Sequence, residues 1–322
     1  MGIVTDLIIG AYAASPTMHR WDPAVEADYL RRVMEIDGVT GLELPWTGSL
    51  HPHDPEWLLS TLEPSWKLVL TSIPGTVARL DVDPHAGLAS TDAEGRAAAI
   101  GDARLMRDAV ETLNTRAQSS SGSVLAVELH SAPRVPSGSD ARRLADSLEE
   151  VSSWDWGGTS LLIEHSDAFV AGQDPSKGFL SLQDEIEAVD AVRFRGRGHG
   201  GDLGIALNWG RSAIELRDPD RVTEHVDAAA DSGLLAALVF SGAAAIANRY
   251  GAPWADVHPP FGPVTESTSL LTAERAADAL AHAGRLDWVG IKMGWKPPEP
   301  AEESDPLPML RQAVSVVSAL LP

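Results

Sequence analysis

The sequence predicts an α/β protein built as one (β/α)8 TIM barrel over residues 1–322. Three observations carry that reading. Short unbroken apolar runs recur along the chain and alternate with helical patterns, as strands buried on both faces of a parallel sheet do. Several of these runs lead straight into ionisable residues, of which Thr159-Ser160-Leu161-Leu162-Ile163-Glu164-His165-Ser166-Asp167 is the plainest. No shift in composition marks a domain boundary, and no glycine fingerprint follows the first strand, which disfavours an open doubly wound sheet.

In chain order, Leu7 to Tyr12 reads as the first strand, and Asp22-Pro23 opens a helix to about Glu35, with Asp as the cap and Pro at the first helical position. Gly41 to Trp46 is the second strand, and its loop to His53 carries two histidines. Asp54-Pro55 starts the next helix, Trp66 to Ser72 is the third strand, and Pro74 to Ser90 reads as a long loop. Thr91-Asp92-Ala93-Glu94 is a capping box for an Ala-rich helix to about Arg116, broken by Ser119 to Gly122. Ser123 to Val127 forms the fourth strand and ends in Glu128-Leu129-His130, and a helix follows Ser139-Asp140.

After the fifth strand, Ser181 and Asp184 open a helix. The basic, glycine-rich stretch from Arg195 to Gly201 follows that helix, so it is not a phosphate loop, which follows a strand. Leu203 to Leu207 is strand six, ending in Asn208-Trp209-Gly210-Arg211. Asp218-Pro219 begins a helix that Gly233 ends. Leu234 to Phe240 is strand seven, with Ser241 at its end and a long loop carrying Arg249, Trp254, Asp256 and His258. Thr272 caps a helix to Gly284, Trp288 to Ile291 is strand eight and ends in Lys292, and a Pro-rich connection precedes a helix from Leu307.

Composition narrows the function classes. A net charge of −21 argues against nucleic acid and anionic membrane surfaces as partners. The absence of cysteine excludes disulfides and thiolate metal sites. No apolar run is long enough to cross a bilayer, and the opening residues lack a signal-peptide pattern. The expectation is a cytoplasmic protein acting on a small molecule, with assembly into a homo-oligomer left open.

In a barrel the strand ends converge on one cup at the C-terminal face. They offer Glu43 and Trp46, Ser72, Glu128 and His130, Glu164 and His165, then Asn208, Trp209 and Arg211, then Ser241, and last Lys292. Alternation puts Glu128 and His130 on one side and separates Glu164 from His165. Glu164 is placed inward, and the side of His165 stays open. Lys292 is one of four lysines (with Lys67, Lys177 and Lys296) and lies in an apolar segment, where a buried ammonium needs a partner such as Glu164 or a bound anion. Glu164, Glu128 and Lys292 are the expected catalytic residues. His130, His165, Asn208, Trp209, Arg211, Trp46 and His258 are the expected substrate-binding residues, although either tryptophan also suits core packing.

These strand ends resemble those of the xylose isomerase-like (β/α)8 barrels of sugar isomerases and epimerases, and more narrowly a domain-of-unknown-function branch of them, DUF4862. In metal-dependent members a Glu ends strand five, an Asp-x-x-His follows strand six, a His ends strand seven and a Glu ends strand eight. Glu164 fits the first position. Asn208 and Arg211 take the Asp and His positions, Ser241 lies near the third site, and Lys292 replaces the last Glu. The resemblance therefore implies a carbohydrate-like substrate, with the usual divalent-metal site degraded and its positive charge supplied by Lys292 and Arg211. No cofactor is assigned. A different metal site built from Glu128, His130 and His258 stays open.

The expected chemistry is proton removal beside a carbonyl, as in isomerisation or epimerisation, with Glu164 or Glu128 as base and Lys292 or His130 holding the developing enolate oxygen. Lys292 and Arg211 together suggest an anionic substrate. The alternatives are a non-catalytic carbohydrate-binding barrel, and Schiff-base lyase or aldolase chemistry at Lys292, which requires a depressed amine pKa.

Overall fold

The computed structural model describes residues 5–117, 123–195, 202–262, 268–296 and 305–321. Eight parallel strands close on themselves in sequence order. They are β1 (Asp6–Ile9), β2 (Gly41–Pro45), β3 (Lys67–Thr71), β4 (Val124–Leu129), β5 (Ser160–His165), β6 (Leu203–Asn208), β7 (Leu235–Phe240) and β8 (Trp288–Ile291). The barrel is sealed where β1 pairs with β8, Asp6 against Trp288 through Ile9 against Ile291.

The helices among the described residues are α1 (Pro23–Met34), α2 (Pro55–Thr61), α3 (Ile73–Leu80), α4 (Ala93–Arg116), α5 (Ala141–Ser152), α6 (Leu182–Arg195), α7 (Trp209–Leu216), α8 (Val222–Asp231), α9 (Ala273–Ala283) and α10 (Leu307–Ser318). Most of their starts follow the caps read from sequence, but α4 is capped by Asp92 and not by Thr91, the first residue of the expected capping box, whose hydroxyl donates to Gly138 O instead. Asp22, Asp54, Asp92, Asp140 and Thr272 each accept a backbone N–H from the first turn. Such a cap stabilises a helix end by about 1 kcal/mol. Gly233 and Gly284, both at φ +67°, let the chain turn after α8 and α9.

Three further readings change. Pro74 does not open a loop but lies in the first turn of α3, where its missing N–H costs nothing. The first strand stops at Ile9, and Ala11–Ala14 forms a 3-10 turn that aims Tyr12 at Glu43. Asn208 to Arg211 is not a strand end trailing into a loop. Asn208 closes β6 and at once caps α7, so the connection from β6 to β7 holds two helices, α7 and α8. The breaks and loops expected at 119–122, 196–201 and 297–304 lie outside the described residues.

Two apolar layers follow from the two faces of each strand. Ile8, Val69, Ala126, Leu162, Ala206, Ala237, Val239 and Trp288 fill the lumen. Residues between them, such as Leu7, Leu70, Val127, Ile163 and Leu238, pack outward against the helices.

Candidate active site

The inward set continues one step further along each strand, and there its chemistry changes. Two residues beyond Gly41, Ala126, Leu162, Ala206, Val239 and Gly290 stand Glu43, Glu128, Glu164, Asn208, Ser241 and Lys292. Gly10 and Thr71 complete the layer beyond Ile8 and Val69. Sequence alternation thus sets the ring, and the closed barrel turns it into one cluster. Glu128, Glu164, Asn208, Ser241 and Lys292 are fully buried, and Glu43 nearly so.

Glu164 is the centre of the ring. Its Oε1 accepts Asn208 Nδ2 at 3.2 Å, and its Oε2 lies 2.9 Å from His130 Nε2 and 2.6 Å from Arg211 Nη1. Ser241 Oγ donates to Asn208 Oδ1 at 2.6 Å and so fixes the amide with its donor side toward Glu164. Ser72 Oγ holds the other imidazole nitrogen, His130 Nδ1, at 2.9 Å. Burial raises the Glu164 pKa, but Arg211, Lys292 and His130 overcome it and hold the carboxyl well below its ordinary value. Burial pushes His130 down to about 4, so it is the neutral partner that donates Nε2–H to Glu164.

Lys292 pairs chiefly with Glu43, at 2.5 Å, and stands 3.7 Å from Glu164. Burial alone would lower its pKa, but Glu164 and then Glu43 keep it well above the ordinary lysine value. Burial also pushes Glu43 upward, against the pull of Lys292. The pair is ionic, since a neutral Glu43 would leave the buried ammonium only a carboxylate 3.7 Å away. Neither Lys292 Nζ nor Arg211 Nη1 is aligned for a hydrogen bond despite the short approach. Gly10 makes room for the pair: a Cβ there would sit 2.9 Å from Glu43 Oε2 and 3.1 Å from Lys292 Cγ.

Arg211 reaches the ring from α7 and is shared with Asp256, which accepts Nε at 3.1 Å. Asp256 also takes Lys177 Nζ at 2.9 Å and lies 3.2 Å from His258 Nδ1. Glu43, Glu164 and Asp256 are thereby matched by Lys292, Arg211 and Lys177. Both cations expected to bind a substrate anion are already neutralised by buried carboxylates.

Glu128 differs from the rest. It is fully buried, and neither of its carboxyl oxygens has a hydrogen-bond partner. Burial first, then Glu164 and Glu43, push its pKa well above the ordinary value. It is a neutral carboxylic acid inside a ring of fixed charges.

The other expected binding residues fall elsewhere. His165 faces out of the lumen, between Glu185 at 2.7 Å and Glu215 at 2.9 Å. Those two carboxylates outweigh burial and raise it to about 10. Trp209 is buried in the outer apolar layer, and so is Trp46, whose Nε1 donates to Asp102. Among the described residues, Glu128, His130 and His258 do not bring ligand atoms together as a metal site would.

A cavity of about 160 Å³ meets the ring at Glu43 and Tyr12 and is otherwise lined by Trp21, Glu26, His51 and His53 among others; Glu128, Glu164 and Lys292 do not line it. Trp21 stacks on His53 at 5.1 Å and meets Trp57 edge-on at 5.7 Å, and its buried Nε1 has no partner. Sequence reasoning named the two histidines only as loop residues and passed over Tyr12, Trp21 and Lys177. Only Tyr12, at the end of an apolar run, carried a signal that could have found it.

The donor set does not suit the divalent ion of the metal-dependent barrels. Such an ion needs acceptor lone pairs, and Arg211 and Lys292 offer none. Glu164 spends both oxygens on neighbours, and Asn208 Oδ1 accepts from Ser241 and from the N–H of Arg211.

The sequence profile described as Domain of unknown function (DUF4862) matches residues 8–304. An uncharacterized protein of Salmonella typhimurium is 35% identical over 296 residues, covering 90% of this chain and 89% of that relative. Among solved structures, D-psicose 3-epimerase from Clostridium cellulolyticum, crystallised with D-tagatose, superposes with a TM-score of 0.57 at 13% identity over 98% of this chain and 99% of its own. A xylose isomerase-like TIM barrel protein from Mycobacterium smegmatis, in complex with magnesium, gives 0.53 at 12% identity with both chains fully covered. At such identities the likeness speaks for the fold. This chain belongs to the DUF4862 family, and its fold is that of the xylose isomerase-like TIM barrels.

Proposed function

We propose that the protein is a sugar isomerase or epimerase-type enzyme that moves a proton beside a carbonyl without a metal in its lumen, with Glu128 as the proton-transfer residue. The observation that carries the reading is the state of Glu128, buried, unpartnered and of raised pKa beside a fixed ammonium. A raised carboxyl pKa brings a base toward the operating pH, where proton transfer is most effective. Glu164, expected as an equal candidate, is too strongly stabilised as an anion to serve, and its role is to hold His130, Arg211 and Asn208 in place.

In this reading Glu128, neutral in the free protein, first gives its proton to solvent, and the carboxylate so formed removes the proton on the carbon next to the substrate carbonyl. The C–H electron pair forms the enediolate double bond, and the carbonyl pair moves onto oxygen. Lys292, with N–H groups left over from its contact with Glu43, holds that oxyanion. Return of the proton to the former carbonyl carbon, with the hydroxyl proton of the first carbon passing to the oxyanion, gives isomerisation. Protonation of the first carbon from the opposite face by solvent, with Glu128 losing its proton to solvent, gives epimerisation. Lys292 stays protonated beside Glu43 and Glu164, which supports an electrostatic role over a Schiff base.

The charge balance favours a neutral sugar over its acid. The cavity, smaller than the roughly 300–1,000 Å³ of pockets for drug-sized molecules, suits a small ligand, and the reading requires the ring side chains next to Glu43 to shift so that this ligand reaches Glu128. Its tryptophan and histidine rings suit the C–H face of a pyranose or furanose. The test is a panel of neutral aldoses and ketoses, with their acid counterparts, incubated in D2O and followed by NMR. Exchange at the carbon beside the carbonyl of a neutral sugar is expected. Exchange of the acids alone would overturn the charge argument, and saturable binding with no exchange would favour the non-catalytic barrel.

A further inference from the structure

Behind the ring, on the outer face of the same strands, lies a second group of polar side chains that the proposed reaction does not use. His165 at the end of β5, Glu215 in α7 and His225 in α8 bring one ligand atom each within 4.8 Å of one another. His165 Nε2 lies 2.9 Å from Glu215 Oε2, and His225 Nε2 lies 3.5 Å from Glu215 Oε1. A tetrahedral zinc holds its ligand atoms roughly 3.3 Å apart; the two contacts run to different oxygens of Glu215, and with one atom from each residue all within 4.8 Å a small side-chain adjustment reaches that spacing.

What surrounds the three residues is the stronger observation. Each imidazole has its far nitrogen fixed. His165 Nδ1 meets Glu185 Oε2 at 2.7 Å, and His225 Nδ1 meets Ser212 Oγ at 3.1 Å. Glu185 is in turn held by Ser131 Oγ. Both Nε2 atoms are thus left to face Glu215, as metal-binding histidines are when a carboxylate or hydroxyl orients them from behind. One Glu215 oxygen also accepts the N–H of Ala168 at 2.8 Å, which fixes the carboxylate.

We propose that His165, Glu215 and His225 bind a divalent transition-metal ion of the zinc class, outside the barrel lumen. Two imidazole nitrogens and one carboxylate oxygen make a donor set that zinc accepts and that magnesium or calcium, which take oxygen ligands, does not. Binding replaces the proton that His165 Nε2 shares with Glu215, so one proton leaves as the ion enters. Glu215 and His225 are 11% and 12% exposed, which gives the ion an entry path and a water its fourth position. The site would tie β5, α7 and α8 together behind the lumen. His165 adjoins Glu164 and Ser212 adjoins Arg211, so the ion would brace the elements that carry the Glu164–Arg211 pair.

The test is titration of the chelator-treated full chain with zinc and with cobalt(II), joined to anomalous diffraction at the zinc edge. The expected result is one equivalent bound, an intense visible cobalt spectrum of the tetrahedral kind, and an anomalous peak between His165, Glu215 and His225. His225→Ala and Glu215→Gln should abolish it. Ser212→Ala keeps all three ligands and should weaken affinity by about 10–100-fold, a reading that survives even if a ligand variant fails to fold. Absence of saturable binding, an anomalous peak at another place, or full-affinity binding in folded His225→Ala protein would each overturn the proposal. None of these readouts depends on turnover of a sugar.

Discussion

Glu128 and Glu164 occupy equivalent places on neighbouring strands, two residues beyond Ala126 and Leu162, and are equally buried, yet they hold opposite protonation states. The difference lies in their partners. Glu164 has a guanidinium, an imidazole N–H and an amide N–H on its oxygens, whereas Glu128 has none. Environments that push two carboxyls apart in this way assign one to proton transfer and the other to holding charge.

Glu128→Gln should leave the fold intact, because the replacement is neutral, of the same shape, and breaks no hydrogen bond. The wild-type carboxyl binds a proton more tightly folded than unfolded. Its contribution to stability is therefore present below the unfolded pKa and lost as pH rises toward the folded value. Chemical unfolding of the two proteins should converge at acid pH, and the variant should become relatively more stable toward neutrality. A variant that loses stability at neutral pH would show that Glu128 is ionised and paired.

His130 contributes the opposite slope. It is neutral when folded, with its pKa near 4, and takes a proton once unfolded near the ordinary value of about 6.5. Stability should fall as pH drops through that window, by about 3 kcal/mol at most. His130→Gln should flatten this slope in unfolding curves between pH 4 and 6.5. An unchanged slope would place the acid sensitivity elsewhere.

Lys292→Met should destabilise the protein by about 3–5 kcal/mol, because it strands the buried Glu43 carboxylate. The sequence suggested Glu164 as the partner, but Glu164 keeps Arg211 and His130 when Lys292 is gone. Adding Glu43→Gln to Lys292→Met should therefore recover most of the loss, while adding Glu164→Gln should not. A double-mutant cycle by urea unfolding separates the two.

Gly10→Ala should cost about 1–3 kcal/mol through overpacking, since its Cβ would press on Glu43 and Lys292 together. Gly10 has φ −74°, so backbone strain is not the cause. Thermal melting checks the loss, and an unchanged midpoint would mean that the ion pair can shift without penalty.

The fold was legible because each strand is a short apolar run and many helices open on a side-chain cap, as at Asp22, Asp54 and Asp140. It failed at Pro74, where a helix-starting proline resembles a loop residue. Within the site, alternation put Glu128 on one face of β4 with His130 and separated Glu164 from His165 on β5, with Glu164 placed inward. It could not tell them apart, because their protonation depends on Arg211 and His130, which arrive from other positions in the chain. Nor could it show that Lys292 is claimed by Glu43, or that His165 turns outward to Glu185 and Glu215. Those partners lie at least 20 residues away in sequence, and only closure of the barrel brings them together.

Deuterium wash-in at the carbon beside the carbonyl of a neutral sugar, measured in D2O with wild type and folded Glu128→Gln side by side, tests the central claim most directly. The account predicts incorporation by wild type and a loss of about 10²–10⁴-fold in the variant, the usual contribution of a general base. Incorporation by Glu128→Gln at the wild-type rate would contradict it.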